Sequence, residues 1–122
     1  MDFMRGKFDV AAFQAMKAVE VAVREASGLP SDLHGVRLMR EAFKPRSGPL
    51  ADQAAEEGEQ DAQSALFAGA IGSYKNPQSH RDVNLDDPVE ALEIVMLANH
   101  LLRIVDSRGK SRSVSSPQSP VI

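Results

Sequence analysis

Apolar residues in this chain recur at intervals of three and four, the repeat that lines one face of an α-helix, and no stretch reads convincingly as a strand. Phe8, Ala12, Ala15 or Met16, Val19, Ala22 or Val23, and Ala26 keep that spacing and predict a first helix over 8–26. Ser27-Gly28 supplies its C-terminal stop, and Pro30 prevents its resumption. The opposite face, with Gln14, Lys17, Glu20 and Arg24, is expected to be solvated, with Glu20, Arg24 and Glu25 forming an exposed salt-bridging set. A short second helix is predicted over 36–43, burying Leu38, Met39, Ala42 and Phe43. Lys44-Pro45 ends it, because the residue before proline disfavours the helical region.

Residues 44–57, with two prolines and a glycine, form a loop before a third helix predicted over 58–74. Glu56, Glu57, Glu59 and Asp61 suit the start of that helix, where the dipole favours negative charge. Its later half, Ala65 to Gly72, is rich in small residues. Each helix-interior glycine costs roughly 1 kcal/mol relative to alanine, so Gly69 and Gly72 point to close approach of another backbone. The fourth helix has the clearest start: Asp87 at the N-cap, Pro88 at the first helical position and Glu90 at the third, a capping-box pattern with Asp in place of Ser or Thr. It continues through Ala91, Leu92, Ile94, Val95, Leu97, Ala98, Leu101, Leu102 and Val105, with a stop expected near Gly109.

This last helix is apolar over more than one stripe, especially from Ile94 to Ala98, and so has two faces to bury. One is expected to meet the bundle and the other a second subunit or a larger host domain. The fold class that follows is all-α: a small antiparallel helical bundle, dimeric through its last helices. Met16, Met39 and Met96 read as core filling.

A length of 122 residues suits one core. The absence of cysteine removes disulfides, thiolate nucleophiles and Cys-ligated zinc. His34, His80 and His100 are spread far apart, so neither a metal site nor a cofactor is expected. His34 reads as a surface turn residue and His100 as a core or interface histidine. No apolar run approaches the roughly 20 residues that span a bilayer, and Met1-Asp2-Phe3-Met4-Arg5 lacks the basic-then-apolar pattern of a secretory signal. A cytoplasmic protein with no membrane partner is the expectation.

The net charge of −3 argues against broad coating of nucleic acid, yet its distribution is uneven. From Ser107 onward, SRGKSRSVSSPQSPVI holds three basic residues, no acidic ones, six serines and two prolines. Residues 1–106 keep 11 basic and 17 acidic residues, a net of −6. The helical domain is therefore placed at 1–106. The tail at 107–122 is expected to be disordered, or ordered by a partner such as RNA or an acidic protein face, since it offers too little apolar surface to offset its ordering entropy.

The polar chemistry concentrates in Tyr74-Lys75-Asn76-Pro77-Gln78-Ser79-His80-Arg81-Asp82, which joins the third and fourth helices. His80 can give and take a proton near neutral pH. Lys75 and Arg81 can hold a phosphate, Arg with two parallel hydrogen bonds and Lys as a point charge. Asn76 can donate and accept, orienting either a substrate or His80. An acidic helix residue near His80 could orient its imidazole. On composition alone, the same nine residues also read as a solvated turn.

The chain resembles the Ymh-type family of uncharacterised bacterial proteins. The resemblance lies in AFQAMKAVEVAVREASGL, GVRLMREAF, a glycine-and-proline loop, LFAGAIGSYKNPQSHR and DDPVEALEIVMLANHLLRIVD, which together cover nearly all of positions 8–106. That family is similar to the HEPN superfamily, helical domains of RNA-cleaving toxins, phage defence and RNA processing. The HEPN signature is an arginine, a polar residue, and a histidine four to six residues along; Lys75 to His80 fits this frame with lysine in the arginine's place. The resemblance implies metal-independent RNA cleavage at a site shared across a dimer. His80 would be the acid/base, Lys75 would stabilise charge on the phosphorane, Asn76 would position these groups, and Ser79 and Arg81 would bind substrate. A partner protein or antitoxin is implied as well. The alternative that the same resemblance leaves open is a non-catalytic dimerisation, nucleotide-binding or protein-binding module, because lysine lacks the planar fork that grips two phosphate oxygens.

Overall fold

The computed structural model describes residues 2–75 and 87–114, and within them the chain is all-helical. Four helices lie among the described residues: α1 (Asp2–Ser27), α2 (Gly35–Ala42), α3 (Glu57–Tyr74) and α4 (Pro88–Val114). They form a bundle in which α1 packs along α4, α2 packs on α3, and α1 also touches α2 and α3. No strand occurs among the described residues.

The periodic positions make the core. Ala12, Met16, Val19 and Val23 of α1 are buried against Ala91, Ile94, Ala98, Leu101 and Val105 of α4, with Leu38, Met39, Phe67 and Ile71 from the α2–α3 pair. Phe43, which caps α2, and Phe67 stack with ring centroids 4.1 Å apart and planes 20° from parallel. Such a pair contributes about 0.5–1.5 kcal/mol beyond the area it buries. The α2–α3 connection is pinned to α2 and to α4 through Leu50. Its N–H donates to Ala42 O at 2.8 Å, its carbonyl accepts from Arg108 Nη1 at 2.9 Å, and its side chain is fully buried.

Helix ends follow local chemistry. α1 stops where Gly28 turns to φ +71, a left-handed conformation that glycine adopts without steric cost; its N–H returns to Arg24 O at 3.1 Å. Asp87 caps α4 as expected: its Oδ1 accepts from the Val89 N–H at 2.9 Å, and its carbonyl accepts from the Ala91 N–H at 3.1 Å.

Several expectations are corrected. α1 begins at Asp2 rather than Phe8, because nothing from Asp2 to Lys7 breaks a helix. α4 does not stop near Gly109 but runs on to Val114, so 107–114 of the expected tail are helical. One glycine lowers helix stability without ending a helix, and Arg108 is tied to the bundle by its bond to Leu50. Among the described residues nothing lies near where a Cβ on Gly69 would sit, and Gly72 meets the Val36 side chain rather than a backbone. The small residues Ala65, Gly69, Ala70 and Ser73 instead line a shallow groove beside Tyr74 and Leu97.

Met96 is not core filling: it is 60% exposed, in a row with Val89 (60%) and Leu92 (56%). These three lie on the side of α4 opposite the buried stripe, so the helix's second apolar face is open in the single chain. His100 is exposed on α4 rather than in the core. His34 is an exposed residue preceding α2, as expected of a turn position.

Candidate functional site

The first helix carries an acid inside its apolar register. Glu20 follows Met16 by four residues and precedes Val23 by three, which places it on the core-facing side. It is only 4% exposed, which overturns its expected place on a solvated face, although the expected salt bridge to Arg24 is present. The sequence did hold this signal, in the spacing Met16-Val19-Glu20-Val23, with Arg24 one turn beyond.

Three donors from three different elements converge on the buried carboxylate. The Gly35 N–H donates to Oε2 at 2.8 Å. Arg24 Nη2, one helical turn along α1, reaches the same oxygen at 3.3 Å. Lys75 Nζ sits 3.0 Å from Oε1, with its side chain 19% exposed. Each donor is placed by local structure. Gly35 opens α2 with φ +63, a conformation that strains any L side chain, and this turns its amide toward α1. Arg24 is further fixed by donating to Leu33 O at 3.0 Å, while its Nε is buried without a hydrogen-bond partner. Lys75 caps α3, its N–H returning to Ile71 O at 3.0 Å.

Burial acts to raise the Glu20 pKa. The Gly35 N–H, the Lys75 ammonium and the Arg24 guanidinium together outweigh burial, and the net shift is below the ordinary value. Glu20 is therefore a carboxylate at neutral pH. A charge this deep is tolerated because an amide N–H and two cations meet its two oxygens.

Of the residues singled out for chemistry, Lys75 is the one the structure places, at the end of α3 and paired with Glu20. Asn76, Ser79, His80 and Arg81 lie outside the described residues. The acidic residues at the start of α3 behave as helix-terminal charges: Glu56 is its N-cap, and Glu57 and Glu59 occupy its first turn. Among the described residues no group of three or more His, Asp or Glu side chains could hold a metal ion, and no helix is long and apolar enough to cross a membrane.

The described part of the site thus provides a partly exposed ammonium at a fixed point, backed by a buried carboxylate. Such a cation can place positive charge beside an anionic group. No curated protein and no solved structure matches the chain. The family model described as "Protein of unknown function (Hypoth_ymh)" matches residues 1–105, nearly the whole helical bundle, and the chain belongs to that family.

Proposed function

We propose that this chain is a HEPN-like domain of prokaryotic defence or toxin type, acting in the cytoplasm as a metal-independent endoribonuclease. The observation that supports this reading is the Lys75–Glu20 pair, 3.0 Å long and backed by Arg24 and Gly35. An ordinary solvated turn has no need of a buried carboxylate under its first residue. In this reading His80 takes the proton of a ribose 2′-hydroxyl as that oxygen attacks phosphorus, and a proton is returned to the departing 5′-oxygen. Lys75 stabilises the charge that grows on the phosphorane, Asn76 orients the reacting groups, and Ser79 and Arg81 hold the strand. The products are a 2′,3′-cyclic phosphate and a 5′-hydroxyl. The chemistry requires no cofactor, and an antitoxin-like protein would be its natural restraint.

The open face of α4 supports a homodimer in the same reading. Val89, Leu92 and Met96 form an exposed apolar row whose burial against a second copy would bring two Lys75 ends into one assembly. Met96→Glu is expected to leave the helical content unchanged and shift the protein toward monomer in gel filtration.

A second reading, a non-catalytic assembly module, draws on that apolar row and on the neutralisation of Lys75 by Glu20. One experiment separates the two. Purified protein is incubated with mixed RNA in EDTA, beside His80→Ala. Cleavage by the native protein alone, ending in cyclic phosphates, is the expected result. Intact RNA together with a retained dimer supports the assembly module, and equal cleavage by both proteins marks a contaminating nuclease and removes support for the enzyme.

A further inference from the structure

We infer that Glu20 is the positioning residue of the proposed phosphate site, fixing the Lys75 ammonium at the C-terminal end of α3. The inference rests on the endoribonuclease reading and names a residue, far away in sequence, through which that site is built. The two carboxylate oxygens divide their partners. Oε2 is tied to the scaffold by the Gly35 N–H at 2.8 Å and Arg24 Nη2 at 3.3 Å. Oε1 faces Lys75 Nζ at 3.0 Å. The carboxylate is thus held by α1 and the start of α2, independently of α3, and offers a fixed point on which the lysine's end is located.

The chemistry of lysine makes that fixed point necessary. Arginine carries a rigid fork that orients itself on a phosphate, whereas an ammonium is a compact charge on a flexible four-carbon stem. Where lysine takes the place of an arginine, direction must come from outside the side chain. Glu20, buried and unable to wander, supplies it. Misplacement of a group by about 1 Å can cost up to about a hundred-fold in rate, so loss of this constraint has a measurable consequence at the site without any contact between Glu20 and RNA.

The test uses the full chain in four forms: native, Glu20→Gln, Lys75→Gln and the double variant. Acylation with acetic anhydride, read by mass spectrometry, is the first measurement, with the exposed Lys17 and Lys44 as internal references. Glu20→Gln is expected to speed labelling of Lys75 several-fold and leave Lys17 and Lys44 unchanged. RNA cleavage is the second. Glu20→Gln is expected to lower kcat about ten-fold with KM held within about two-fold, and to add nothing once Lys75 is glutamine. If Glu20→Gln loses its helical circular dichroism, Glu20→Asp takes its place; it keeps the charge, draws it back by one methylene, and is expected to move both readouts the same way by a smaller factor. Unchanged labelling of Lys75 overturns the inference, as does a Glu20 penalty that persists in full in the Lys75→Gln background. Should the native protein leave RNA intact, the endoribonuclease reading fails by itself, and the labelling alone decides whether Glu20 positions Lys75.

Discussion

Two ion pairs sit at opposite ends of α3, and distance alone ranks them wrongly. At its start, Arg46 Nη2 and Glu57 Oε1 are 2.7 Å apart, with side chains 76% and 57% exposed. At its end, Lys75 and Glu20 are 3.0 Å apart, with side chains 19% and 6% exposed. Water and salt screen the shorter pair, and either partner can be solvated if the other is lost. The longer pair has no such alternative, since a carboxylate stripped of its donors in the interior pays the full cost of desolvation. The pairs also differ in reach: Arg46 and Glu57 tie the α2–α3 connection to the helix it leads into, whereas Glu20 joins α1, the start of α2 and the end of α3.

The largest break in that comparison is Glu20→Ala. It leaves Lys75 and Arg24 facing an emptied site and the Gly35 N–H without its acceptor. A loss of about 3 kcal/mol is expected in urea unfolding; a loss below about 1 kcal/mol would place the pair with the exposed one. Acid sharpens the same contrast. The folded pKa of Glu20 lies below its ordinary value of 4.5, so its contribution is complete above that value and is lost as pH falls through the lower, folded one. The stability gap between the native protein and Glu20→Gln should therefore hold from neutral pH down to near the ordinary value and narrow below it, as read by urea midpoints. An unchanging gap would show that the charge of Glu20 does not matter to the fold.

Smaller effects fill in the scale. Asp87→Ala removes the side-chain cap of α4, an exposed contact with a backbone partner, and should cost about 1 kcal/mol. Glu57→Gln, which breaks the shorter ion pair, should change stability by about 0.5 kcal/mol or less. A Glu57→Gln effect equal to that of Glu20→Ala would erase the distinction drawn from burial.

The fold was legible where a rule acts within a few residues. Gly28 stops α1, Asp87 opens α4, and Met16, Val19 and Val23 face inward, all as their spacing and chemistry require. Reading failed where the outcome depends on a neighbour distant in the chain. Gly69, expected at a packing contact, meets none of the described residues, and Met96, expected in the core, is exposed, because neither periodicity nor composition says which of two apolar faces finds a partner. α4 outran its glycine because Arg108 meets Leu50, 58 residues earlier.

The candidate site shows the same division. The concentration of polar chemistry between the third and fourth helices, and the likeness to the family that the chain belongs to, could be read from residue order. Glu20 could not be joined to Lys75 in that way, because 55 residues separate them and only the packing of α3 beside α1 closes the gap. Residue order alone carried the existence of the four helices and which of their faces are apolar, though not where α1 begins or α4 ends, since the former follow from local periodicity and capping. Only the tertiary structure decided that an acid in the apolar register of α1 would be buried as a charge. That outcome required cations and an amide from elsewhere in the chain to meet it, and desolvation forbids it otherwise.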